Sequence, residues 1–158
     1  MRVPTPDCDH VSVMQIPFHP SAGPSLGVEW ELGLVDSRSY NLVSAADSIF
    51  TDLDRRHPGH RVHRELLLNT VELVTGICAT TGEAMTDLAE SMSAVRDVAE
   101  PLGIELFSAG MHPFASWQDQ RVTASDRYDT LIDRTQWWGR QMLIYGIHMH
   151  VGMPNRDR

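Results

Sequence analysis

At 158 residues the chain is long enough for one domain with a real core, and 42% hydrophobic with 22% charged residues is ordinary globular composition. A formal charge of −8 argues against non-specific binding to nucleic acid or to anionic membranes. The two cysteines, Cys8 and Cys78, follow no metal spacing, the opening has no signal-peptide core, and no apolar run reaches about 18 residues, which together predict a reducing, cytoplasmic setting and no membrane partner.

Residues 1–24 carry Pro4, Pro6, Pro17, Pro20 and Pro24 without sustained periodicity, and read as a flexible leader that could donate a short strand near Val11 to Ile16. The remainder, 25–158, reads as part of a single domain. It opens on Gly27-Val28-Glu29-Trp30-Glu31-Leu32-Gly33-Leu34-Val35-Asp36, a strand pattern in which Glu29 and Glu31 share one face about 7 Å apart. Two carboxylates pressed into an apolar sheet repel one another unless a cation or donor meets them, and a divalent metal is the simplest remedy.

Arg38 to Asn41 supply a turn, Leu42-Val43 a hairpin partner, and Ser44 precedes a short helix containing Ile49, Phe50 and Leu53 that ends at His57-Pro58-Gly59. Arg61 to Thr75 reads as two short strands interrupted around Asn69-Thr70. Glu65 and Glu72 stand seven apart, so both can reach one site only if a bulge or loop near Leu68 to Thr70 resets the register. Glu72, between Val71 and Leu73, ranks ahead as the inward carboxylate; Glu65 is either a second one or half of a surface ion pair with Arg64.

Thr80 and Glu83 have capping-box spacing, and Met85, Leu88, Met92, Val95, Ala99 and Leu102 mark the buried stripe of a long helix stopped by Gly103, with Asp87, Glu90, Arg96 and Asp97 on its solvated face. Ile104 to Ala109 reads as a strand running into Gly110-Met111-His112-Pro113. His112, held extended by the following proline, either aims its imidazole at a ligand or bonds the loop backbone. Ser125 is placed to cap a second long helix whose stripe is Tyr128, Leu131, Ile132, Thr135, Trp138, Met142 and Leu143, with Arg127 able to face the His112 loop and contact an anion. Ile147 to Gly152 is a final strand with His148 and His150 on one face, a spacing that favours a ligand role for at least one of them.

The pattern predicts an α+β fold with a mainly antiparallel, curved sheet and helices packed on one face. Oxygen-rich sites built from glutamates with one imidazole suit Mg²⁺ or Mn²⁺, whereas zinc asks for more nitrogen or sulfur. Several glutamates around more than one hard cation suit the gripping of polyphosphate, and no Walker loop is present to bind a nucleotide in any other way. A metal-dependent hydrolase and a non-catalytic remnant are the competing readings of the same residues.

Five segments together, Gly27 to Asp36, Glu65 to Thr75, Gly110 to Ala115 with Trp117, Asp126-Arg127-Tyr128, and Gly146 to Gly152, resemble the type 2 glutamate-cysteine ligase family, also described as carboxylate-amine ligases. The resemblance implies half of a glutamine-synthetase-like catalytic domain, a sheet curved around a metal-filled funnel. It also implies an ATP-dependent reaction in which the γ-carboxylate of glutamate is phosphorylated and an amine such as that of cysteine displaces phosphate, a step in glutathione-type thiol biosynthesis. By that similarity Glu29, Glu31, Glu72 and His148 are metal ligands with Glu65 a further candidate, and His150 lines the same site; His112 and Arg127 are candidate substrate contacts from their own places in the chain. ATP, glutamate and an amine are then the partners. Family members are longer, so the chain is expected to be an N-terminal part with an open sheet edge prone to self-association.

Overall fold

The computed structural model describes residues 17–156, so the strand expected near Val11 to Ile16 lies outside the described residues. Its centre is β1, Ser25–Asp36, a twelve-residue strand. The hairpin β2, Val62–Arg64, and β3, Thr70–Val74, lies along one side of β1, with Glu31 opposite Glu72 and His63 opposite Glu72 in turn. The other side is shared end to end by β4, Ile104–Phe107, which pairs with Gly33 to Asp36, and β5, Ile147–Gly152, which pairs with Ser25 to Trp30. Every pairing is antiparallel. The result is the α+β architecture with an open antiparallel sheet that the periodicities predict.

Alternation along β1 sorts its residues by face. Val28, Leu32 and Leu34 are buried and meet Val71 and Leu73 from β3 in the main core, which helices α1, Ala46–Arg56, and α2, Thr81–Ala99, close with Ile49, Leu53, Leu88, Val95 and Val98. Burying each of these aliphatic side chains contributes about 1.5–3 kcal/mol of transfer free energy. Glu29 and Glu31 are thereby left on the opposite face. Leu42 and Val43 return against β1 as expected, through a bridge from Val35 to Leu42.

Helix α2 is capped by Thr80, whose Oγ1 accepts the Glu83 N–H at 3.2 Å, while the Glu83 carboxylate reaches one residue further back than a strict capping box to accept the Ala79 N–H at 2.7 Å. Its buried stripe differs from the expected one. Ala84, Leu88, Ser91, Val95 and Val98 face the core, while Met85 and Leu102 are exposed. Of the two expected methionines, Met92 packs partly buried against the core and Met85 is left in solvent. Asp87 is not a solvated charge either: it accepts the Gly76 N–H at 2.8 Å and pairs with Arg61 at 2.7 Å, tying α2 to the end of β3.

The helix expected from Ser125 to Leu143 is broken. Helix α3, Asp126–Thr135, stops at Gln136, whose φ is 51°, and a single turn, α4, Trp137–Arg140, follows. Thr135 Oγ1 donates to the Leu131 carbonyl and Gln136 Nε2 to that of Asp133, side-chain bonds that compete with continuation of the helix. Ser125 occupies the cap position without a side-chain cap bond, and Trp138 and Met142 are exposed. Tyr128, Ile132, Leu143 and Tyr145 instead form a second apolar cluster with Leu66 and Leu67. On β5, Ile147, Met149 and Val151 sit opposite Trp30, Val28 and Leu26 but lie beyond the reach of α1 and α2, and all three are exposed. No described helix is long and apolar enough to cross a membrane.

Candidate metal centre

Strand register builds the site. Glu29 and Glu31 project from one face of β1, Glu72 stands beside Glu31 on β3, and His148 stands beside Glu29 on β5. Glu65 arrives by the register reset that its spacing demands. The chain leaves β2 after Arg64, is held out of the ladder by Leu68 N–H to the Arg121 carbonyl and Thr123 Oγ1 to the Glu65 carbonyl, and re-enters the sheet at Thr70. Arg64 turns the other way, pairing with Asp47 at 2.5 Å, so the ion pair between Arg64 and Glu65 does not form.

Two triads result, Glu29 with Glu72 and His148, and Glu31 with Glu65 and Glu72, each offering three ligand atoms within 4.8 Å of one another. Glu72 belongs to both. Opposed ligands of a Mg²⁺ ion lie about 4.2 Å apart, so small side-chain rotations bring either triad to bonding distance. The donors are carboxylate oxygens and one imidazole, a set that fits Mg²⁺ or Mn²⁺.

The electrostatics are those of a cluster short of positive charge. Burial, and then repulsion from Glu65, Glu29 and Glu31, push the Glu72 carboxyl up to about 7. Burial also raises Glu31, and a hydrogen bond from the Gly146 N–H to Glu31 Oε2 at 2.7 Å opposes the rise. Glu29 is shifted the other way, chiefly by its hydrogen bond to His150, with Nε2 3.3 Å from Glu29 Oε2; His148 Nδ1 lies 3.4 Å from the same oxygen.

All five expected ligands therefore gather, Glu65 among them, and His150 touches the cluster through Glu29. His112 stands apart from it. It is 6% exposed, its Nε2–H donates to the Tyr40 carbonyl at 2.9 Å, and its Nδ1 accepts the Ala115 N–H at 3.1 Å, so the ring braces the loop rather than facing a ligand. Arg127 is exposed with its guanidinium 5.5 Å from the Tyr128 ring centroid, outside both triads. His63 was not singled out by the sequence, yet its Nδ1 lies 3.8 Å from Glu72 Oε2. Its place opposite Glu72 in a short hairpin is the signal that would have found it.

An open antiparallel sheet that gathers four glutamates and a histidine on the face turned away from α1 and α2 offers the donor set of a divalent-cation site. The chain belongs to glutamate-cysteine ligase family 2, whose profile matches residues 25–158. A glutamate–cysteine ligase 2-2 of Paenarthrobacter aurescens is 53% identical over 152 residues, spanning 92% of this chain and 40% of that protein. A glutamate–cysteine ligase 2 of Mycobacterium tuberculosis is 50% identical over 147 residues, spanning 93% of this chain and 38% of that one. Both names are provisional. The chain thus spans about 40% of the length of the curated relatives it matches. The crystal structure of the glutamate–cysteine ligase of Francisella tularensis in complex with AMP shares the fold, with a TM-score of 0.64 at 17% identity over 85% of this chain and 28% of that one.

Proposed function

We propose that this chain carries the metal-binding part of an ATP-dependent carboxylate–amine ligase that joins the γ-carboxylate of glutamate to the amine of cysteine. The observation that carries the reading is the convergence of Glu29, Glu31, Glu65, Glu72 and His148 into two triads sharing Glu72, in a chain of this family. A glutamate carboxylate oxygen attacks the γ-phosphorus of ATP and ADP leaves. The amine then attacks the acyl carbon, phosphate departs, and the nitrogen loses its proton. The two triads would hold divalent cations, which when bound would supply charge neutralisation for phosphoryl transfer.

The chain's own residues hold and orient. The sheet fixes four of the five ligand side chains on three neighbouring strands, the loop after β2 brings Glu65, and the Gly146 N–H fixes one oxygen of Glu31 while leaving the other for a cation. No serine or cysteine nucleophile is required, because phosphoryl transfer depends on positioning and charge neutralisation. Cys78, 4% exposed, is a small core residue in this reading. A reaction that consumes a free thiol substrate suits a reducing, cytoplasmic setting. Among the described residues β5 pairs with β1 alone and leaves Ile147, Met149 and Val151 exposed, which supports self-association at high concentration.

The test is to supply Mg²⁺, ATP, glutamate and cysteine and to follow phosphate and γ-glutamylcysteine together. Product that requires all four components, and disappears in Glu72→Gln, supports the assignment. Phosphate released from simple esters without ATP would replace it with the hydrolase reading, and silence in both assays together with no Mg²⁺ binding would replace it with a non-catalytic role.

A further inference from the structure

His148 and His150 reach one carboxylate oxygen from two directions. Register places His148 directly opposite Glu29 across the β1–β5 ladder and His150 opposite Gly27, one pleat further along. His148 Nδ1 stands 3.4 Å from Glu29 Oε2, and His150 Nε2 stands 3.3 Å from the same atom. Two glycines accommodate the convergence. With no side chain on Gly27, directly across from it, the His150 imidazole crosses diagonally to Glu29. A Cβ on Gly146 would stand 3.1 Å from His148 Nε2, so that glycine clears the far side of the other ring and Nδ1 is the nitrogen turned to Glu29.

The separations are long for an ion pair and right for metal ligands. A charge-assisted N–H···O bond closes to about 2.7–2.9 Å. Ligands bonded at about 2.0–2.1 Å to a tetrahedral ion lie about 3.3–3.4 Å apart, whereas neighbouring ligands of octahedral Mg²⁺ at that bond length lie about 2.9 Å apart. Both nitrogen–oxygen separations fall on the tetrahedral edge. The donor set differs too. Each triad offers carboxylates with at most one imidazole, while this corner offers two imidazoles and one carboxylate, a set that zinc takes in three-ligand sites with the fourth position open. The two histidine side chains are 56% and 66% exposed, so an ion has access and the rings have the freedom to close on it.

We propose that Glu29, His148 and His150 form a site for a tetrahedral transition-metal ion of the zinc type, distinct in geometry and donor set from the two carboxylate triads. Glu29 and His148 also belong to the triad with Glu72, so zinc in this corner withdraws two of that triad's three donors. The site therefore competes with the hard cation, and the competition rests on the reading above that the triad holds Mg²⁺ or Mn²⁺. Affinity for a nitrogen-containing site rises from Mn²⁺ to Zn²⁺, so zinc fills this corner at lower concentration than the harder ion fills the triad. His150 decides between the two, since it contacts Glu29 and belongs to neither triad.

The experiment titrates the chain and its His150→Ala and His148→Ala variants with Zn²⁺, by competition with a chromophoric chelator, and with Mn²⁺, by water-proton relaxation. Thermal unfolding in EDTA first establishes that each variant is folded. His150→Ala is expected to weaken Zn²⁺ about a hundredfold and to leave Mn²⁺ within about threefold, whereas His148→Ala weakens both. Two readouts need no variant: Co²⁺ in place of zinc should give the intense visible absorption of a four-coordinate ion, and Zn²⁺ should displace Mn²⁺ from the chain. Unchanged zinc affinity in folded His150→Ala overturns the proposal, and so does the pale six-coordinate spectrum of Co²⁺. Zinc and Mn²⁺ bound together without displacement overturn the competition. A chain that binds zinc through His150 but binds no Mn²⁺ or Mg²⁺ loses the ligase reading and keeps the zinc site.

Discussion

Glu31 and Gly146 hold each other twice: the Glu31 N–H donates to the Gly146 carbonyl at 3.0 Å, and the Gly146 N–H donates to Glu31 Oε2 at 2.7 Å. The pair sits where β4 and β5 leave a gap along the edge of β1, so it continues the sheet where no ladder runs. One carboxylate thus has both a structural and a proposed metal-binding role, and substitutions can separate them. Glu31→Gln keeps an acceptor for Gly146 and removes a charge; the metal-free variant should melt no lower than the original chain, while Mg²⁺ affinity drops about tenfold or more. Glu31→Ala should lose the same affinity and also about 1–2 kcal/mol of stability, because the Gly146 N–H loses its acceptor. Thermal unfolding in EDTA and a Mg²⁺ titration decide the matter, and equal melting of the two variants would remove the structural role.

Glu72 gives the cluster a pH dependence whose sign reverses with metal. In the metal-free fold its carboxyl holds a proton up to about 7, against an ordinary value of 4.5, so between these limits the folded state binds more protons than the unfolded chain. Its contribution to stability is therefore fully present below the ordinary value and is lost as pH rises through about 7. A cation needs the deprotonated form, so apparent Mg²⁺ affinity should fall by about tenfold per pH unit below about 7 for one competing proton. Melting curves in EDTA and in saturating Mg²⁺ across that range should slope in opposite directions. Parallel slopes would mean that Glu72 does not meet the cation.

The two histidine–glutamate strands were legible because a period of two leaves little freedom: once Val28, Leu32 and Leu34 are buried, Glu29 and Glu31 must share the other face, and His148 and His150 follow the same rule. Glu65 was legible as a condition, since its odd spacing from Glu72 demanded a break that the loop after Arg64 supplies. What escaped the sequence depends on contacts distant along the chain. The break at Gln136 goes with local side-chain bonds and an exposed Trp138, and the periodicity of apolar residues carries no mark of either. Met85 and Leu102 fit the helical period yet stay exposed, Met85 beside a stripe that runs through Ala84, Leu88, Ser91, Val95 and Val98, and Leu102 in the tight turn that follows the helix.

His112 offers a control within the same domain. Its ring lies between Phe107 and Phe114, with centroids 5.0 and 4.5 Å away, and both nitrogens serve backbone groups. His112→Ala leaves the Tyr40 carbonyl and the Ala115 N–H unpaired and opens a void, which should cost about 2–4 kcal/mol of stability. Metal affinity of the folded variant should be unchanged. A variant that melts normally but binds substrate poorly would return His112 to the role of a substrate contact.

His148 and His150 face the same oxygen of Glu29 at 3.4 and 3.3 Å, yet only His148 joins a triad with Glu29 and Glu72. The difference predicts distinct losses. His148→Ala removes a ligand and should weaken Mn²⁺, the hard cation that best tolerates imidazole, about tenfold or more, with a smaller effect on Mg²⁺. His150→Ala should leave Mn²⁺ affinity within about threefold, because a neighbour that orients a ligand contributes less than the ligand itself. It removes the hydrogen bond that leads in holding Glu29 below the ordinary carboxylate range, so the Glu29 titration should move upward in the metal-free protein. Carboxyl carbon NMR shifts of Glu29 follow that movement directly, and Mn²⁺ relaxation gives the affinity on the same samples. Equal loss of Mn²⁺ from the two variants would place both imidazoles on the cation and make the Glu29 contact of His150 incidental.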